Sequence, residues 1–139
     1  MAQNQLGMIH GHACAARRLG DALLRSFGNT TITLRLANAS TGDTNSQLGL
    51  TTPTVEDVPL SPALVRVASA PHEIKTRYEV QLSTASVQQA VSMYHVDDVG
   101  TWLLTALALI YGDKVLHIDS VLVDQSAGAD YLYHILASE

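Results

Sequence analysis

Cysteine is almost missing from this chain. Cys14 is the only one, so no internal disulfide is possible and stability has to come from a packed core, a pattern that fits a reducing compartment. Charge is scarce as well: Asp, Glu, Lys and Arg make up 15% of the residues, against ~25% in an average globular protein. There is no basic stripe, which argues against a direct DNA-binding face. No apolar run is long enough for a membrane. The longest, Trp102–Tyr111, contains Thr105 and covers about half of the ~20 residues a spanning helix needs. The start, MAQNQLGMIHGHAC, lacks a basic segment followed by an apolar one, so no signal peptide is expected. Gly28, Gly42 and Gly49 fit neither glycine-rich phosphate fingerprint.

What is present is a core. Hydrophobic residues are 47% of 139, enough for one domain that buries about two-thirds of its unfolded surface without a staple. The charge is uneven. Residues 1–36 carry Arg17, Arg18, Arg25 and Arg35 against Asp21, a balance of +3, and residues 37–139 carry −8, which together give the net −5.

The strongest local pattern is Leu116–Leu136. Leu116, Ile118 and Leu122 alternate with His117, Asp119 and Val121, then Tyr131, Tyr133 and Ile135 alternate with Leu132, His134 and Leu136. Period two predicts two strands, Val115–Val123 and Tyr131–Leu136, joined by a loop over Asp124–Asp130 in which Gly128 is free to take positive φ. The second strand is apolar on both faces, so cover on both sides is expected.

Upstream, residues 1–12 read as a flexible arm interrupted by Gly7 and Gly11, ahead of one domain over residues 13–139. Ala13–Phe27 reads as a helix with Ala16, Leu19, Leu23 and Phe27 on its inner face, Leu24 widening it, and Gly28-Asn29 ending it. Thr30–Ala37 alternates as a strand with Ile32, Leu34 and Leu36 inward. Asn38–Pro53 is rich in Ser, Thr, Asn and Gly and reads as a long loop, a feature that is usually functional or disordered. Pro59 and Pro62 break Val55–Val67 and confine it to a sheet edge or a bulge. Arg77–Leu82 is a strand with Tyr78, Val80 and Leu82 inward, and Ser83 or Thr84 caps a helix running to about Tyr94. A further helix is expected over Val99–Ile110, apolar around most of its circumference, then a turn at Tyr111–Lys114. The pattern sums to an α+β fold with about five or six strands and two or three helices.

Residues with chemical potential are few. His10, His12 and Cys14 are metal-ligand types, but no second cluster accompanies them. His117, Asp119 and His134 offer a His/carboxylate set, with no nucleophile motif beside them. Asp97-Asp98 reads as a helix cap and Glu56-Asp57 as a solvated pair. No catalytic, metal or cofactor site is expected, and the chain is not expected to be an enzyme. The surface expected to matter is one for assembly: Arg17, Arg18 and Arg25 on the first helix, Trp102 on the Val99–Ile110 helix, and Tyr131 and Tyr133 on the last strand.

The order VPLSPALVRV, YEVQLSTASV, helices, then VLHIDSVLVDQSAGADYLYHILAS resembles the small neck proteins of tailed bacteriophages, the head-to-tail connector or stopper group. The resemblance covers roughly Val55 to Ser138. It implies a small β-barrel-like domain with two or three peripheral helices. It also implies a sixfold or twelvefold homo-oligomeric ring between portal or adaptor and tail proteins. DNA would pass through its channel without sequence-specific binding, and the protein would be made in the host cytoplasm and reside in the virion neck. Thr41, Asn45, Leu48 and Leu50, in the long loop, would then reach the lumen or a neighbour. A tail terminator or tail-completion protein is the nearest alternative. A small-molecule-binding barrel or an unmarked enzyme, resting on His117, Asp119 and His134, is the alternative of another class.

Overall fold

Six antiparallel strands close on themselves in the order β1-β2-β3-β6-β5-β4 in a computed structural model that describes residues 2–28, 30–38, 54–68 and 74–139. The elements along the chain are α1 (Ala2–Phe27), β1 (Thr30–Asn38), β2 (Thr54–Val67), β3 (Arg77–Ser83), α2 (Thr84–Tyr94), α3 (Val99–Leu104), β4 (Ala108–Tyr111), β5 (Lys114–Ser126) and β6 (Ala129–Ser138). The chain therefore makes two three-stranded meanders. β1 pairs with β4 and β3 with β6, which removes the open sheet edges between the meanders. The expected α+β barrel with peripheral helices is what forms.

Alternation fills the interior. Ile32, Leu34 and Leu36 of β1, Tyr78, Val80 and Leu82 of β3, Leu116 and Ile118 of β5, and Tyr133, Ile135 and Ala137 of β6 all enter one core cluster. α2 and α3 add Val87, Ala90, Val99 and Leu103 at the end where β3 finishes and β4 begins. A capping box fixes the start of α2: Ser86 N–H donates to Ser83 Oγ at 3.3 Å, and Ser83 N–H donates to Ser86 Oγ at 3.1 Å. The same pair ties three elements together, because Ser83 Oγ donates to Asp21 of α1 and Ser86 Oγ donates to the Pro62 carbonyl of β2. Elsewhere Lys114 Nζ donates to Tyr78 Oη at 2.6 Å and lies over the Tyr78 ring.

Several expectations are corrected. Where a flexible arm was expected over residues 1–12, the chain is already helical from Ala2. Gly7 and Gly11 each cost a helix about 1 kcal/mol relative to alanine, and the helix runs through both. The Val55–Val67 segment, expected to be broken at Pro59 and Pro62, lies in one continuous strand of the barrel, while the expected placing of its prolines at an edge and a bulge holds. Its prolines are accommodated in two ways. Pro62 sits in a bulge, where Ser61 and Pro62 face the single residue Thr31 between the pairs Ile32↔Leu60 and Thr30↔Ala63. Pro59 pairs with Thr33 on one side, and its other side lies beyond the β2–β3 ladder, which spans only Ala63–Val67.

The expected Val99–Ile110 helix stops at Leu104. Leu107 N–H donates to the Arg35 carbonyl at 2.8 Å, and Ala108–Ile110 pair with β1. The apolar run ALIY closes the barrel as a strand, which satisfies more backbone groups than another helical turn would. The β5–β6 loop is also shorter than expected. It is the two-residue turn Ala127-Gly128, with φ of 52° and 77°, a geometry that matches strand twist. Finally, a bulge at Asp119 lies between Ile118↔Ala137 and Ser120↔Leu136. It reverses the alternation, so Val121 and Val123 pack on the core while Leu122 is 61% exposed.

Candidate functional site

α1 shows two apolar faces, and only one is used. Ala13, Gly20 and Leu24 are buried against the barrel. A Cβ on Gly20 would lie 3.2 Å from the Tyr131 carbonyl, so helix and β6 touch through backbone. Leu19, Leu23 and Phe27, expected to face inward, are 62%, 48% and 75% exposed. At about 100° per residue they form a stripe turned roughly 80° from the buried line. The rotation of the helix is set where Gly20 meets β6, Arg17 Nε donates to the Asp130 carbonyl and Asp21 accepts from Ser83. Beside the stripe runs a crease of about 300 Å³, with Leu132 and Tyr131 of β6, Gln81 of β3 and Gln125 of β5 on its far wall.

The expected assembly residues separate into groups. Arg18 is exposed on the helix, Arg25 is paired with Asp21 at 2.9 Å, and Arg17 is engaged with β6. Trp102 is half-buried, its ring 6.2 Å from that of Tyr94. Tyr131 is half-buried and lines the crease. Tyr133 is corrected from interface to core: it is 3% exposed and its hydroxyl meets Asp130. Burial, then Asp130, pushes its phenol up to about 12. Thr41, Asn45, Leu48 and Leu50 lie outside the described residues. They fall between the last residues of a two-stranded ribbon. Its tip pairs Leu36–Asn38 with Thr54–Glu56, beyond the stretch where β4 flanks β1. His10 and His12 offer no described side chains, and Cys14 is exposed.

The His117, Asp119, His134 set does not form one site. His117 and Asp119 are 4.0 Å apart on exposed positions of β5. His134 belongs to a different group, a ladder across four strands of the outer wall. Arg66 of β2 pairs with Glu79 of β3, whose Oε1 lies 3.2 Å from His134 Nδ1 of β6, and His134 Nε2 lies 2.7 Å from Asp124 of β5. Burial pushes the Glu79 carboxyl up, but hydrogen bonds from Arg66, Gln81 and His134 outweigh it and hold the group below the usual carboxylate range. Sequence reasoning missed Arg66, Glu79 and Asp124 because only strand register brings them to His134. No group of three metal-ligand residues converges among the described residues, and no helix among them is long and apolar enough to cross a membrane. Compared with known proteins, the chain matches no family model, no curated protein and no solved structure.

Proposed function

We propose that this chain is a structural subunit of a homo-oligomeric ring in the neck of a tailed bacteriophage, of the head-to-tail connector or stopper kind. The observation that carries the reading is the stripe Leu19, Leu23, Phe27 and its crease, held outward by the two contacts that fix α1. An apolar face that the fold itself keeps from burial is a face for another chain. A closed barrel leaves few strand edges for uncontrolled pairing, and identical copies joined head to tail close into a ring when the rotation permits. The β1–β2 ribbon ends at the pair Asn38 and Thr54, and the polar residues between them in the sequence would in a ring reach the lumen or a neighbour. The net charge of −5 suits a channel in which DNA slides, because few phosphates are neutralised. In this reading the role is mechanical, in the virion, joining portal or adaptor to tail and helping to retain packaged DNA.

Light scattering on the purified chain and cryo-electron microscopy of the particle that contains it test this. A closed ring with a central channel, in the particle or alone, is the expected result. A monomer in both settings refutes it.

A further inference from the structure

Along β2, one stretch of the barrel wall lacks a second flanking strand. β1 flanks β2 from Thr54 to Ala63, but β3 flanks it only from Ala63 to Val67. Beyond Ser83 the chain that was β3 turns into α2, so the second side of β2 over Val55–Ser61 faces a helix. Between them is a groove of about 480 Å³, with Glu56, Asp57, Pro59 and Ser61 on one wall and Gln89, Met93 and Tyr94 among the residues of the other.

The parity of the ladder says which backbone groups face this groove. The Arg35 carbonyl accepts from Leu107 on the β4 side, so Thr33 and Arg35 turn their backbone toward β4, and Leu34 and Leu36 turn theirs toward β2. The partners of Leu34 and Leu36 are Val58 and Glu56, which therefore spend their bonds on β1. Asp57 and Pro59, opposite Arg35 and Thr33, direct theirs into the groove. Pro59, which has no N–H to lose, sits at a position where β1 asks for none. The Asp57 N–H and carbonyl and the Pro59 carbonyl are a row of strand-edge groups without a strand. Two further features point the same way. The Glu56 carboxylate has no cationic partner among the described residues. The Tyr94 hydroxyl is buried with no hydrogen bond of good geometry, and the nearby Glu56 carboxylate, then burial, pushes it up to about 12.

We infer that the groove between β2 and α2 accepts an extended peptide segment as an added strand, with a Lys or Arg side chain of that segment opposite Glu56. Backbone bonds to Asp57 and Pro59 supply affinity, and the uncompensated carboxylate supplies selectivity. A helix alongside a free strand edge is a geometry that suits strand addition, because the helix limits entry to one chain of extended shape. Nothing in this groove depends on whether the chain forms a ring.

The test uses the full chain, isotope-labelled, titrated with the capped peptide Val-Lys-Val-Lys-Val and followed by amide shifts. Saturable shifts confined to β2 from Val55 to Ser61 and to the Gln89–Tyr94 face of α2 are expected. N-methylating alternate backbone nitrogens of the peptide, or replacing its Lys by Glu, is expected to weaken binding about tenfold or more. Glu56→Gln, with an unchanged amide spectrum elsewhere, is expected to abolish the preference for Lys over Glu. Shifts at another surface, or equal binding of the N-methylated peptide, would overturn the proposal. So would dilution-dependent shifts at the same residues without peptide, which would mean that a second copy fills the groove.

Discussion

Gly28 shows how one residue can be required for a reason its sequence context does not reveal. Its place after a helix suggests a left-handed stop, but among the described residues the glycines with positive φ are Gly112 and Gly128. Gly28 is needed because β2 passes it closely. A Cβ there would stand 2.5 Å from the Ala63 carbonyl oxygen and 2.9 Å from Leu64 Cα, and backbone of a barrel strand yields poorly. Gly28→Ala is expected to destabilise the fold by about 1–3 kcal/mol, in the manner of overpacking. At Gly11 a Cβ would meet nothing within 4 Å, and Gly11→Ala is expected to gain up to about 1 kcal/mol; urea denaturation of the two variants compares them directly. Glu79 makes a second residue-scale case. Its folded pKa is depressed, so its contribution is complete above the ordinary Glu value of about 4.3 and is lost as pH falls through the folded value. The stability gap between the native protein and Glu79→Gln is therefore expected at neutral pH and should close in acid. A gap that stays constant from pH 7 to 3 would mean that the ladder's charge plays no part.

At the scale of elements, legibility follows how local the determining interaction is. β1, β3 and α2 are readable because alternation or a cap states them within a few residues: Ile32, Leu34 and Leu36 for β1, and Ser83 for α2. β4 is not, because Ala108–Tyr111 is as apolar as a buried helix and becomes a strand only when β1 offers a side to pair with. The inner face of α1 is not readable either. Ala16, Leu19, Leu23 and Phe27 make the better apolar line, but Gly20 and the Arg17 and Asp21 contacts decide which line meets the barrel. β5 fails halfway along. The rule that places Leu116 and Ile118 inside also places Leu122 inside, and the Asp119 bulge overturns it. This yields a prediction opposite to that of simple alternation. Val123→Thr, which sets a hydroxyl beside Gly100 and the core, is expected to cost about 1 kcal/mol or more. Leu122→Thr is expected to stay within about 0.5 kcal/mol. Thermal unfolding of both variants decides it, and a costlier Leu122 change would mean that the bulge does not persist in solution.

For the whole molecule, the question is what holds copies together if the proposed ring forms. Charge is a weak candidate. Arg25 is already paired with Asp21 and Arg17 with β6, so of the three arginines on α1 Arg18 is the one left to meet a neighbour, and one exposed ion pair contributes only about 0–1 kcal/mol. Apolar contact scales differently. A lasting interface buries about 800 Å² per partner around a desolvated apolar centre, and Leu19, Leu23 and Phe27 with the crease beside them are suited to be that centre. Because these side chains are already largely exposed in the single subunit, replacing all three by Gln is expected to leave the unfolding transition of the isolated subunit nearly unchanged. The same variant is expected to lose assembly, while Arg18→Glu should weaken it only at low salt, where surface charge is least screened. Sedimentation of the two variants against the native chain, at low and high salt, reads both effects. If the Gln variant assembles as well as the native chain, α1 is not the seam, and the contact between copies has to be sought on another face of the barrel.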